Sequence, residues 1–382
     1  MDFNLTEERT MLQDMLQRFL AERYDHEARR KLLESGTAYD ADILNELAEL
    51  GILGAIFSEE DGGFGGAGFD ISVVFEEFGR AGVIEPILAS AVLGGSLVAA
   101  LGNDEQKELI EAVVGGQSVL ALAHGEPTAR YDLSDVRTTA AADGNAIVLN
   151  GTKTHVINGG QAGKLIVSAR ESGADTDHVG ISLFMVSSDA PGVSINAYQN
   201  VDGTSAARVD LTDVRLSAAD RLGDAGAAFE AIETAIARGT LAVSAEALGA
   251  MDAAKDLTVG YLKERKQFGV PIGKFQALQH RMADVLIEIE QARSAVVNLA
   301  GHMEADAATR DLHVSATKNL IGRVGTLVAE ETIQMHGGIG MTDEYALSHF
   351  ARRLTMIDHL FGDVDHHLER FIALSAASGG QL

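Results

Sequence analysis

The chain contains no cysteine, which excludes disulfides, thiol nucleophiles, iron–sulfur clusters and cysteine-ligated zinc together. Cations are scarce: 30 Lys and Arg stand against 56 Asp and Glu, a formal charge of −26. Such a surface repels phosphate backbones and anionic lipid. Neither nucleic-acid nor membrane binding is expected, and any anionic ligand needs a local basic cluster. No apolar run approaches the ~20 residues of a membrane span. The N-terminal MDFNLTEERT carries acids where a signal peptide needs positive charge, so a cytoplasmic location is expected. Prolines are few, Pro86, Pro127, Pro191 and Pro271, which leaves room for long helices. What is present is a globular composition, 46% hydrophobic and 23% charged over 382 residues, enough for two or three domains.

The pattern along the chain changes twice. Up to about residue 117 it is helical: Thr6 is a good N-cap before EERTMLQDMLQRFLAERY, ADILNELAELG stops at Gly51, and a further helical stretch runs from Pro86 to Val114. From 118 to 222 short apolar runs (SVLALAH, AIVLN, KLIVSAR, ISLFMV, ARVDL) alternate with turn signals. Asp143-Gly144 and Asn150-Gly151 read as hairpin dipeptides, and a compact antiparallel sheet or barrel is expected. From 223 to 382 helix returns. Met282, Val285, Ile289, Ala292, Val296, Leu299 and Met303 recur at three- and four-residue spacing, and four helical segments (225–266, 274–305, 311–336, 343–377) predict a four-helix bundle. The expected fold is mostly α with a central β-domain: an N-terminal helical domain (1–117), a middle β-barrel domain (118–222) and a C-terminal four-helix bundle (223–382).

Several motifs compete for the chemistry. Gly63-Phe-Gly65-Gly-Ala-Gly68 has the dinucleotide-fingerprint spacing, but Glu59, Glu60 and Asp61 are a poor approach for a pyrophosphate, and a loop is the better reading. His359, Asp363, His366 and His367 would share one face of a continuous helix and could bind a metal. A di-iron bundle needs two Glu-x-x-His motifs, which are absent, so a solvated face is favoured and no metal is expected. Two bundle stretches carry more. ERKQFGVPIG, followed by FQALQH, sets cations, an amide and an aromatic at a helix end before a Pro/Gly break, a docking surface for an anion and a ring. QMHGGIGM puts three glycines between two helices, where a ligand can reach backbone N–H groups. A phosphate-bearing cofactor with a ring system fits both; a basic helix end plus an ordinary helix–helix turn remains the bland alternative.

ERKQFGVPIGKFQALQHRMADV resembles the signature of the acyl-CoA dehydrogenase family, and QMHGGIGMTDEY resembles that family's Gln-x-x-Gly-Gly-x-Gly turn. SEEDGGFGG is similar to a loop of its N-terminal domain, and Gly125-Glu126-Pro127 to the Thr-Glu-Pro opening its β-domain. YLKERKQFGVPIG and LTMIDHLFGDVDHH look most like the branch called pimeloyl-CoA dehydrogenase small subunit. The resemblance implies an FAD enzyme that oxidises an acyl-CoA thioester to the 2,3-enoyl-CoA and passes electrons to an electron-transferring flavoprotein. It implies FAD between subunits of a homotetramer, or of a heterotetramer with a paralogous subunit. Arg265, Gln267 and Phe268 would then meet one FAD, and Gln334, Gly337 and Gly338 the neighbouring one, with His124, Gly125 and His155 contributing from the β-domain.

The departures are informative. Gly125 replaces the usual Thr, and His155 the Trp of Lys-x-Trp-x-x-Asn-Gly. The usual catalytic Glu position before a glycine is Phe361, and the alternative one falls at Gly239, with Thr240 at the substrate-contacting Arg position and Arg238 close by. Asp363 is left as the candidate base, with a helix cap as its other reading. Two rivals stand beside the dehydrogenase: a half-site subunit whose partner supplies the base, and a metal-binding bundle without flavin.

Overall fold

The computed structural model describes residues 5–377. In chain order the helices α1 (Glu7–Arg23), α2 (His26–Ser35), α3 (Ala41–Glu49) and α4 (Gly68–Ala81) are followed by a π-helix (Leu88–Gly95), α5 (Ser96–Leu101) and α6 (Asp104–Val114). Eight strands follow: β1 (Leu120–Ala123), β2 (Thr139–Asp143), β3 (Ala146–Ile157), β4 (Lys164–Arg170), β5 (Ile181–Ser187), β6 (Val193–Gln199), β7 (Ser205–Ser217) and β8 (Arg221–Leu222). Then come α7 (Phe229–Glu264), the short pair β9 (Lys266–Gln267) and β10 (Val270–Pro271), α8 (Gln276–His302), α9 (Ala307–His336), α10 (Leu347–His359) and α11 (Val364–Ala377). This is the expected succession of helices, strands and helices. The chain forms two compact units: one takes residues up to 31, 67–83 and 240 onward, the other 32–66 and 84–239.

The first unit is helical. Thr6 Oγ1 accepts the Arg9 N–H at 3.3 Å and starts α1, as its residue type predicts. Every residue of the seven-position stripe Met282–Met303 is buried, the six larger than Ala292 each contributing roughly 1.5–3 kcal/mol. Gly79 of α4 and Gly249 of α7 let two backbones meet: a Cβ on either would lie 1.8 Å from the carbonyl oxygen of Glu246 or Glu76 respectively. Two bidentate or branched ion pairs sit in the same region: Arg353 with Glu246 (2.6 and 2.7 Å), and Arg293 with Glu76 and Asp252 (2.8 and 2.6 Å). The segment expected as one helix over 343–377 is two, because Phe361 (φ +59°) and Gly362 (φ +122°) turn left-handed between α10 and α11. Those conformations end an α-helix.

The second unit is built on the strands, in the order β6-β7-β3-β2-β4-β5-β8, with β1 beside β4. Most neighbours are antiparallel; β1–β4 and β2–β4 are parallel. The loop joining β2 to β3 is Gly144-Asn145, between paired Asp143 and Ala146, with Gly144 at φ +62°. Asn150-Gly151 is not a hairpin. β3 runs through it, and the register to β7 shifts between Leu149 and Gly151. The glycine answers a close approach, since a Cβ there would lie 2.4 Å from Thr138 Oγ1.

Candidate functional site

In the helical unit, α7 leads into a hairpin in which Gln267 pairs with Val270. Its loop residues, Phe268 and Gly269, have φ of +52° and +79°, the left-handed pair of a type I′ turn. Glycine adopts this freely and phenylalanine does not. The turn places the Phe268 ring at the tip, 92% exposed, near exposed Arg265 and Gln267. At the end of α7 the Tyr261 ring stacks on His336 at the end of α9, centroids 4.4 Å apart. The hairpin and the glycine turn therefore occupy neighbouring helix ends. His336 is tied to Thr332 O (2.8 Å) and Tyr345 Oη (3.2 Å), and burial pushes its pKa down. Beyond it, Gly337 has φ +68°, and neither Gly337 nor Gly338 has any atom within 4 Å of where a Cβ would stand. Gln334 is exposed beside them. The arrangement offers a cation, an aromatic face and open backbone, which suits a dinucleotide.

Asp363 lies elsewhere. It opens α11, its Oδ1 accepting the His366 N–H at 2.9 Å. The preceding turn is held from α9, where Lys318 Nζ donates to Gly362 O (2.7 Å) and Asp358 O (2.9 Å). Lys318 and Gln334 are sixteen positions apart on α9, roughly 24 Å along its axis. The glycine turn thus sits at the C-terminal end of α9, and the Asp363 turn packs against its middle. The break at Phe361 also separates His359, on α10, from His366 and His367, on α11, so the shared face required for a metal is not formed. Among the described residues no group of three or more His, Cys, Asp or Glu is placed to hold a metal ion.

In the second unit, His124, Gly125 and Glu126 follow β1 and are pinned to β3. Lys153 is 0% exposed; its Nζ donates to Glu126 Oε1 (2.6 Å), Ser168 Oγ (2.9 Å) and His124 O (3.2 Å). The Glu126 carboxylate also accepts the N–H groups of Arg137 (2.9 Å) and Thr138 (3.0 Å). Burial lowers Lys153 to about 8 against the pull of Glu126. His124, paired with Ser168 Oγ at 2.9 Å, is pushed down to about 3, by burial first and by the Lys153 charge next. Burial raises the Glu126 carboxyl, but Lys153 and Thr138 outweigh it and hold it below its ordinary value. Gly125 O accepts the Thr154 N–H (2.8 Å), and a Cβ at 125 would lie 3.3 Å from Thr154 O, a tight fit for the threonine of the family pattern. His155 is exposed in a bulge at φ +50°, its Nδ1 3.2 Å from Tyr198 Oη. Arg238 donates to Ile56 O (3.0 Å) and Gly66 O (2.9 Å). It lines a cavity of about 480 Å³ together with Phe57, Ser96, Ala99, Ala231 and Thr234.

The sequence reading passed over both buried lysines, although a signal for each exists. Lys153 occupies an inward position in a strand that alternates through Ile147 and Leu149. Lys318 falls on the buried stripe Val314, Ile321, Gly325, Val328 of α9. A charge at a core position demands built partners.

Comparison with known proteins gives one consistent answer. Residues 6–115, 121–216 and 226–372 match, in turn, the acyl-CoA dehydrogenase N-terminal, middle and C-terminal domains. The chain is 31% identical over 380 residues to a probable acyl-CoA dehydrogenase, YngJ, of Bacillus subtilis, covering 97% of this chain and 98% of that one. Butyryl-CoA dehydrogenase from Megasphaera elsdenii superposes with a TM-score of 0.89 at 28% identity, over 98% of this chain and 99% of its own. The ChsE4-ChsE5 complex from Mycobacterium tuberculosis provides a chain with a TM-score of 0.89 at 25% identity, over 99% of both.

Proposed function

The chain belongs to the acyl-CoA dehydrogenase family, and from that premise we propose that it removes two hydrogens from an acyl-CoA thioester to give the 2,3-enoyl-CoA, passing the electrons to an electron-transferring flavoprotein. FAD is its cofactor. The residues present fit that group: an exposed Arg265 and Phe268 on a strained hairpin, and a Gly337-Gly338 turn with open space over its backbone. When bound, FAD supplies the acceptor for the β-hydride. The protein's part is to hold the thioester, polarise its carbonyl and take the α-proton onto a carboxylate, so that one C–H loses a proton and its neighbour a hydride as the C=C bond forms. Asp363 is the proposed base on the Phe361-Gly362-Asp363 turn.

The observation that carries this reading is the pairing of hairpin and glycine turn at adjacent helix ends. The roughly 24 Å of helix axis between Lys318, which holds the Asp363 turn, and Gln334 supports FAD shared between subunits, with Gln334, Gly337 and Gly338 serving a neighbour's cofactor. Exposed Phe268, Leu286, Ile287, Ile339 and Met341 on the helical unit support the same assembly. The test is anaerobic titration of the purified yellow protein with acyl-CoA thioesters graded in chain length and ring content. Bleaching of the flavin by a saturated thioester and not by its enoyl product is expected; no bleaching by any would refute an autonomous dehydrogenase. A second reading, a half-site subunit completed by a paralogue, is favoured by one fact: Phe361 and Gly239 stand at both usual base positions while Asp363 Oδ1 is engaged in capping. Activity restored only by co-expression with a paralogous subunit is its signature.

A further inference from the structure

Apart from the Leu360 N–H to Ile357 O bond that ends α10 (3.1 Å) and the His367 N–H to Asp363 O bond that starts α11 (3.0 Å), the main chain between α10 and α11 is held by side chains. Lys318 Nζ binds the carbonyls of Asp358 and Gly362 at 2.9 and 2.7 Å. Asn319 Nδ2, next on α9, donates to Val364 O at 2.9 Å. From the far side His367 Nε2 meets Phe361 O at 3.1 Å, a contact that requires the proton on that nitrogen. One turn on from Lys318, Gly322 admits the same segment: a Cβ there would lie 2.1 Å from Asp358 Oδ1 and 2.6 Å from Val364 Cγ2. Four carbonyls across seven residues are therefore fixed by three side chains, and α9 is scooped out at a fourth position to receive them.

This is an unusual way to join two helices. A glycine-based C-cap closes such a turn with backbone bonds alone. Here an ammonium and an imidazole, 0% and 1% exposed, are taken into the interior to do it, and burial holds Lys318 near 8 and His367 near 3. Phe361, meanwhile, sits at φ +59° without being glycine. A left-handed non-glycine residue persists only where the surroundings over-determine it. The clamp supplies that over-determination, and what it determines is the direction of the Phe361 ring and the distance to which Asp363 projects.

We propose that Lys318, with Asn319 and His367, is a positioning set that fixes the Leu360–Asp363 turn and thereby places Phe361 and Asp363 against the acyl thioester. The proposal rests on the dehydrogenase reading above and deepens it. None of the three touches the reacting atoms; each acts through the turn.

The test uses the full-length, FAD-loaded protein. Lys318→Met keeps the aliphatic stem and removes both donors, Lys318→Arg keeps charge and donors, and Asn319→Leu is a milder cut that preserves the fold if the first does not. Two quantities are read: amide hydrogen exchange over residues 360–366, and the rate of anaerobic flavin reduction at saturating acyl-CoA. In Lys318→Met, exchange in that segment is expected to rise about tenfold with α8 unchanged. The reduction rate is expected to fall roughly 10- to 100-fold, the size of effect a misplacement of about 1 Å produces, with flavin content constant and KM within about threefold. Asn319→Leu falls between, and Lys318→Arg recovers part of the rate. A lowered unfolding midpoint with an unchanged reduction rate reduces the clamp to a structural device and overturns the proposal, as does unchanged exchange. An active wild type with equally active variants overturns this proposal alone, whereas an inactive wild type overturns the dehydrogenase reading and this proposal with it.

Discussion

Arg265, Asp363 and Lys153 illustrate three different relations between a charge and its surroundings. Arg265 is exposed, so Arg265→Ala is expected to leave the fold intact and to remove the charge-assisted phosphate contact proposed for it. FAD affinity should fall about 10- to 100-fold at unchanged far-UV circular dichroism; full flavin occupancy in the variant would exclude Arg265 from the site. Asp363→Asn keeps an oxygen for the His366 N–H and removes the carboxylate charge that the proposed base needs. Abolished flavin reduction with stability held within about 1 kcal/mol is the outcome for a base, and wild-type reduction the outcome for a cap. Lys153→Met strands the Glu126 carboxylate, buried in the β-domain, and should cost about 3–5 kcal/mol. Adding Glu126→Gln removes that orphaned charge, so urea unfolding should find the double variant more stable than the single one. Arg265 and Asp363 were visible in the sequence as charges beside motifs. Lys153 and Lys318 were not, because a lysine in a strand or helix is ordinarily a solvated one, and only its phase against the apolar pattern distinguishes it.

Elements with a long period were legible and elements with a short history were not. The 3-4 stripe located α8, and Thr6 located the start of α1, because each rests on contacts within one helix. β2 and β6 escaped notice: TAAAD and VSINAYQ are largely exposed and carry no apolar run. Gly151 was misread since a glycine required by a neighbouring strand looks, in sequence, like one required by a turn. The Phe361 break was legible only as Gly362 and a candidate cap at Asp363; its left-handed geometry, held by side chains from α9 and α11, was not. Close helix approach yields its own prediction. Gly79→Ala or Gly249→Ala pushes a methyl to 1.8 Å from a carbonyl oxygen on the facing helix. Either should destabilise the helical unit by about 3 kcal/mol or more, since a backbone contact cannot be relieved by a rotamer change. A thermal midpoint within about 1 °C of wild type would contradict the packing described.

For the molecule as a whole, buried imidazoles set an acid limit. His124 and His367 titrate near 6.5 when unfolded and near 3 when folded. Their folded pKa values are depressed, so the unfolded chain binds protons first as pH drops below about 6.5, and each imidazole then costs about 2 kcal/mol at pH 5; above 6.5 neither contributes. Urea midpoints at pH 7.5 and pH 5 should differ accordingly, and His367→Gln should narrow the gap. Assembly is the other whole-molecule expectation: light scattering should report a dimer or tetramer, and a flavin-bearing monomer would contradict cofactor sharing. Domain order was readable because the family motifs fall in sequence along the chain. The two compact units were not, since residues 32–66 and 67–83 carry similar helical text yet belong to different units.

Each of those units encloses one lysine that no reagent can reach, Lys153 in one and Lys318 in the other. Burial holds both near pKa 8, and once uncovered each loses that depression and reacts as an ordinary surface lysine does. Amine-directed acylation would mark the surface lysines within minutes and leave these two silent until their own unit opened. The pair is a built-in set of two clocks, and the ratio of their labelling rates would report whether the sheet unit or the helical unit lets go first.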